Sequence, residues 1–413
     1  MTTTASSKTG VMDCTSMQRL CLGLGLLGVG VFIYGILFGD EMRVWQVLVV
    51  NFLFFYGLTQ AGVVISAIMQ VTSSQWGRSL KRLAEATSAF FPVAFILLLI
   101  LLAGIGEWAP WVHQPFESKE SWLNVPFFVA RELLAFILLS GLSLFYVYRS
   151  LRPDIGMLHE SGKCLATGVS KRLITRWCGL EVERESSQRS QNRLAVAILI
   201  AYGWVFTLLA FDFVMSLDPH WYSTLMGGYF FIGNLVIGFS FLSVVATCGR
   251  GWLGITDYVW RPQFHDLGKL SFGFCMLWAY MFWSQYLVIW YGNLPEETEF
   301  LFHRMHGIWE FLAWAVFVMV FVIPFVALLS RAIKMNAKGL MTVSVVALIG
   351  MWLERFILVV PSLWQGPGIP IGIVEVLITA GVLGLFAFCY TEFLKTFPVL
   401  PFSDQRLRSA RDL

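Results

Sequence analysis

Charge is what this sequence has least of. Only 13% of its 413 residues are Asp, Glu, Lys or Arg, about half the share found in soluble domains. A chain so poor in charge and 57% hydrophobic cannot clothe a water-facing surface of this size, which excludes both a soluble globular fold and a disordered one. Basic residues exceed acidic ones by a net +3, so there is no strongly basic face and no nucleic-acid partner is expected. The seven cysteines (14, 21, 164, 178, 248, 275 and 389) form no C-x-x-C pair, no C-x-x-C-H haem site and no iron–sulfur run. The phosphate loop G-x-x-x-x-G-K-[ST] is also missing, which excludes ATP-driven pumping by that device. Six histidines (113, 159, 220, 265, 303 and 306) offer no facing pair for a haem. No metal site and no cofactor bound within this chain are expected.

Long apolar runs are what it does have. A spanning helix needs about 20 mostly apolar residues, and ten runs qualify: 17–39, 44–72, 79–104, 122–148, 193–216, 222–248, 267–292, 302–330, 339–361 and 371–394. Open sheet edges are inadmissible in hydrocarbon, and solid runs lack the alternation of a barrel. The reading is a single all-α membrane domain over 1–413, with both termini on one side. With the N-terminus inside, 24 of the 29 Lys and Arg residues fall in inside segments and three in outside ones, which predicts cytoplasmic termini. Tryptophans gather near predicted span ends, as headgroup-level rings do. No cleaved signal peptide is expected, because the start is polar and no A-x-A-like site follows the first run. Residues 149–193 read as a cytoplasmic loop between spans 4 and 5, either solvated or docking a neighbouring subunit.

Ionisable side chains at membrane depth cost about 2.5–3.5 kcal/mol each on insertion scales and are functional candidates by default. Most lie in the predicted outer half: Arg131 and Glu132 in span 4, Asp212 in span 5, Glu354 and Arg355 in span 9. His303, His306 and Glu310 open span 8, where 100° per residue puts them within about 60° on one helical stripe. Such a stripe suits proton release or a proton wire; equally, His303 sits at the headgroup interface and only Glu310 is buried. Arg131 and Glu132 point about 100° apart, so each is expected to find a partner on another helix, as a register-fixing ion pair or as a ligand or proton site. Glu85, in the inner half, is either a surface pair with Lys81 or the inner end of a proton route. Pro92, Pro126 and Pro324 are expected to kink their spans.

Three stretches carry a resemblance: FDFVMSLDPHWYST at 211–224, HDLGKLSFGFCMLWAYMFWSQYLVIWYGNLPEETEFLFHR at 265–304, and LNVPFFVAR at 123–131. They resemble the second large membrane subunit of bacterial alternative complex III, the quinone-binding subunit 2 of quinol:cytochrome c oxidoreductase. That family is related to the NrfD, polysulfide-reductase-like subunits. The resemblance implies two four-helix bundles, spans 2–5 and 6–9, flanked by spans 1 and 10. It implies a cofactor-free subunit, inactive alone, in the bacterial inner membrane. Its partners would be the lipid bilayer, a sister NrfD-like membrane subunit, an iron–sulfur subunit and multihaem cytochromes c, which carry the clusters and haems. The complex would oxidise menaquinol or ubiquinol, with Asp212, His303, His306, Glu310, Arg131 and Glu354 handling quinol or its protons, and with Tyr280 and Trp283 bounding the ring. Two rival classes remain at this stage: a secondary transporter, and a purely structural anchor for extrinsic redox subunits.

Overall fold

The computed structural model describes residues 15–162 and 172–407. Cys14, Cys164 and residues 163–171 of the predicted loop lie outside the described residues. Among the described residues ten helices are long and apolar enough to cross a membrane: α1 Ser16–Phe38, α2 Glu41–Val71, α3 Arg78–Ala103, α4 Val125–Glu160, α5 Leu180–Leu217, α6 Leu225–Trp252, α7 Arg261–Gly292, α8 Gly307–Leu329, α9 Ala337–Leu363 and α10 Ile373–Thr396. The fold is all-helical, as the apolar runs require.

Two bundles emerge from the helix pairing. Helix α2 packs on α3, α4 and α5, and α4 lies along α5; α6 packs on α7 and α9, and α8 fills the space between α7 and α9. The bundles meet where α2 and α5 touch α6 and where α2 touches α9. Helices α1 and α10 flank the bundles together. They form one antiparallel pair laid against α2 and α3. Gly28 and Gly381 let the two backbones touch, since a Cβ on either would fall within 2.7 Å of the other's Cα.

Helix α2 is the axle of the molecule: every residue from Val44 to Ala67 is buried. Its interior amides and hydroxyls explain why. In hydrocarbon each would be unsatisfied, whereas here Asn51 donates to Thr379 Oγ1 at 3.0 Å, Gln60 to Ser143 Oγ at 2.9 Å, and Ser66 to Glu85 at 2.9 Å.

Two expectations are corrected. The 149–193 segment is mostly helix, because α4 runs on to Glu160 and α5 begins at Leu180. Hydropathy ends a span where charge begins, but the helix continues into water. The extensions are clamped together by Arg152 and Glu183, a bidentate pair with Nε to Oε2 at 2.8 Å. Pro126 occupies the first turn of α4, behind an Asn124 cap, so it starts the helix rather than bending it. Pro92 and Pro324 lie inside α3 and α8, where the regular α-helix is interrupted just before each, by a 3-10 segment at Ala86–Phe90 and a π segment at Val318–Val322. Hereafter the face carrying the start of α1 and the end of α10 is the terminal face.

Candidate functional site

Bundle one holds a buried ion pair near the face opposite the termini. Arg131 on α4 grips Asp212 on α5 with two hydrogen bonds, Nε to Oδ2 at 2.5 Å and Nη2 to Oδ1 at 2.8 Å. Its third edge donates to the Trp122 carbonyl at 2.8 Å, and the Trp122 indole N–H donates to Asp212 at 3.0 Å. The guanidinium also lies over the Trp122 ring, 4.3 Å from its centroid. Glu132 sits beside Asp212 with its Oε1 buried and unpartnered. The expectation that Arg131 pairs across helices holds; Glu132 also meets Asp212 of α5, carboxyl against carboxyl, with one oxygen left over.

At the terminal end of the same bundle lies a denser cluster. Glu85 is fully buried and accepts from Ser66, from Ser150 at 2.8 Å and from Arg82 at 2.5 Å, with the Lys81 ammonium 3.8 Å away. Arg82 also pairs with Asp154 of α4, whose other oxygen accepts the Ser403 backbone N–H at 2.7 Å. Tyr146 hydrogen-bonds Ser66 at 3.1 Å. Glu85 is therefore no surface pair with Lys81. Arg82 and Asp154 are the residues that sequence reasoning missed, one counted as a topology signal and the other assigned to a loop.

One helical stripe joins the two ends. Glu132, Ser140, Ser143, Tyr146, Ser150 and Asp154 all lie on the buried side of α4, within about 120° of one another at 100° per residue. Opposite them α2 presents Tyr56, Gln60 and Ser66. The stripe is closed by hydrogen bonds from Asp154 to Ser66 and again at Gln60–Ser143. Between Ser143 and Glu132 it is open: the Tyr56 and Ser140 hydroxyls lie side by side, buried, and neither closes a hydrogen bond.

Bundle two buries a single pair. Glu354 and Arg355 are neighbours on α9, yet the long guanidinium arm wraps back to Glu354 Oε2 at 2.8 Å. Arg355 also donates to the Phe230 carbonyl at 3.1 Å and to Asn234 Oδ1 at 3.0 Å, and stacks on the Phe230 ring at 3.8 Å. Gly57 of α2 leaves the room that Asn234 needs: a Cβ there would meet Asn234 Oδ1 at 2.3 Å. Tyr229 and Trp278 lie beside Glu354.

The remaining candidates are not brought together. A short helix Pro295–Met305 ends at His306, and Gly307 (φ +67°), the first residue of α8, turns the chain. The single stripe of His303, His306 and Glu310 is thus broken, and all three are exposed. Three residues of an interfacial helix and three of a span look alike in spacing, and the glycine is the signal that separates them. Tyr280 and Trp283 point outward from α7, 62% and 56% exposed, and close no buried pocket. The buried residue in this region is Arg304. It donates from Nε to Ile357 O at 3.1 Å, the carbonyl that Pro361 four residues on leaves unbonded, and from Nη2 to Leu358 O at 3.1 Å. Burial lowers its pKa, and the Asp218 carboxylate opposes that shift. The Arg304 guanidinium covers Phe300 at 3.5 Å, and Phe300 stacks on Trp221 at 3.6 Å. This sandwich ties the DPHWYST stretch to the end of the 265–304 stretch.

Ten membrane-crossing helices, arranged as two bundles with ion pairs inside each, define a multi-pass membrane protein with a polar interior. The chain matches the family described as polysulphide reductase, NrfD, over residues 37–366, and it belongs to that family. The match takes in α2 to α9, the two bundles, and leaves α1 and α10 outside. No curated protein matches the chain.

Proposed function

We propose that this chain is the membrane subunit of a quinol-oxidising respiratory complex of the alternative complex III type, and that bundle one is its proton-handling element. The observation carrying this reading is the α4 stripe: buried ionisable groups at both ends of one bundle, joined by hydroxyls and an amide. Glu132 would bind and release protons near the face where quinol is oxidised, beside the Arg131–Asp212 pair that fixes α4 against α5. Glu85 would be the relay at the terminal face, among Lys81, Arg82 and Asp154. The excess of Lys and Arg on the terminal segments supports that face being cytoplasmic, in a bacterial inner membrane. Electrons would travel through iron–sulfur and haem partners, beside a sister membrane subunit, since this chain offers side chains suited to protons. The exposed His303, His306 and Glu310 would lie at the surface where extrinsic subunits dock, and Tyr280 and Trp283 would meet lipid, quinone tails or a neighbouring chain.

The test is made on the complex purified with this chain and reconstituted in proteoliposomes. Glu132→Gln and Glu85→Gln are expected to slow proton-coupled quinol oxidation by a factor on the order of 10², with the haem spectra of the partner subunits unchanged. Full turnover and full proton release in both variants would reduce the chain to an anchor for the redox subunits.

A further inference from the structure

Bundle two ends on the terminal face in a cavity of about 600 Å³, lined among others by Arg250, Arg261, Phe264, Met335, Asn336 and Lys338. Its charged lining is three cations. No carboxylate lines it, and none of the three makes an ion pair among the described residues. The neighbouring cavity in bundle one, about 140 Å³, differs on this point. There Arg78 pairs with Asp404 at 3.2 Å, Arg184 with Glu181 at 3.0 Å, and Lys81 donates to Gln191 at 2.6 Å.

Placement of the cations sharpens the contrast. Arg250 is in the last turn of α6, where the helix dipole favours a cation, and its guanidinium lies 5.3 Å over the Phe264 ring. Arg261 and Lys338 are in the first turns of α7 and α9, where the dipole opposes a cation. Three unpaired cations and two positive helix ends therefore converge on one space, an arrangement that an anion would relieve. The walls beside them are apolar: Phe264, Met335, Ala332 and Ala337.

We propose that this cavity seats the phosphate of an anionic phospholipid from the leaflet on the terminal face. The charge is what a phosphodiester needs, and the apolar wall, at the level where α6, α7 and α9 end, suits the glycerol and first acyl carbons rather than a fully hydrated ion. The inference does not depend on the proton route, because it uses residues of the other bundle.

The full chain, purified in detergent and stripped of lipid, is incubated with phosphatidylglycerol or phosphatidylcholine, and retained lipid is counted by native mass spectrometry. Phosphatidylglycerol is expected to be retained about tenfold better. The triple variant Arg250→Gln, Arg261→Gln, Lys338→Gln should lose that preference. Arg250→Lys with Arg261→Lys should keep most of it, and so should the distant control Arg189→Gln with Arg193→Gln. Equal retention of the two lipids by the wild type, or an undiminished preference in the triple variant, overturns the site. A third arm adds millimolar inorganic phosphate. Displacement of the lipid with phosphate bound in its place would overturn the lipid assignment.

Discussion

Bundle one buries ionisable side chains at both of its ends, whereas bundle two buries them at one. In bundle one two pairs cross between helices, Arg131 of α4 with Asp212 of α5 and Arg82 of α3 with Asp154 of α4, beside the Arg82–Glu85 pair within α3. In bundle two the pair is Glu354 with its own neighbour Arg355, and the terminal half of that bundle holds buried serines such as Ser243, Ser271 and Ser344 but no buried Asp, Glu, His, Lys or Arg among the described residues. A pair on one helix moves as a unit and stays a pair. A pair between helices can be loosened by a shift of one helix or by a proton, and the group it releases becomes available for exchange. On the proposed reading, bundle one is the element that changes its charge state and bundle two the element that holds it.

The largest effect that would test this contrast is on stability. Arg82→Leu strips Glu85 and Asp154 of their shared cation, and loss of one partner from a buried ion network destabilises by about 3–5 kcal/mol. Arg355→Leu is expected to do less, because Tyr229 and Trp278 remain beside Glu354. Unfolding of the two full-length variants in the same detergent ranks them, and equal losses would erase the distinction between the bundles.

Next comes the seam where the bundles meet. Gly57→Val on α2 would push into Asn234 and through it disturb Arg355, for a loss of about 1–3 kcal/mol by overpacking. Asn234→Ala in the same chain should recover part of that loss by opening the space. No recovery would mean that Gly57 matters for something other than its approach to Asn234.

Why the sequence showed one bundle's chemistry better than the other's can be stated residue by residue. Ten apolar runs were legible because hydrocarbon demands length and purity of composition, and all ten became helices. Arg131, Glu132, Asp212, Glu354 and Arg355 were legible because charge inside such a run is conspicuous. Asp154 was not, since it stands beyond the point where the apolar run ends, although α4 continues through it. Extending the helix to Glu160 would have displayed residues 132, 140, 143, 146, 150 and 154 as one stripe. Arg82 and Arg304 were hidden by the rule that basic residues at span ends report orientation; both turned out to be buried. The one spacing motif that looked most like chemistry, His303 with His306 and Glu310, dissolved because spacing implies a shared face only if the helix is unbroken.

A smaller effect separates two of the buried glutamates, Glu132 and Glu354. Glu354→Gln keeps the shape of its site and, if bundle two only holds its charge, should leave proton-coupled quinol oxidation within about threefold of wild type, against the roughly hundredfold slowing expected for Glu132→Gln. Comparable slowing in both would move the proton route to the seam between the bundles.

The smallest effect is the most discriminating, and it concerns the open step of the stripe. The Tyr56 ring is stacked between Phe136 at 4.8 Å and Phe206 at 5.1 Å, while its buried hydroxyl has only the Ser140 hydroxyl beside it. A hydroxyl left dry costs about 1–3 kcal/mol, so Tyr56→Phe in a dry gap would stabilise the protein by that amount. A hydroxyl bridged by water to Ser140 and Glu132 is already satisfied, and its removal would change stability by less than about 1 kcal/mol while interrupting the bridge. The expected outcome is the second: near-neutral stability with slower proton uptake. Ser271 in bundle two, whose hydroxyl is also buried and unpartnered, supplies the matched control, and Ser271→Ala should leave proton uptake untouched. A clear stabilisation in Tyr56→Phe with normal proton uptake would show the middle of bundle one to be as dry as bundle two, and the two ends of the stripe would then be separate sites.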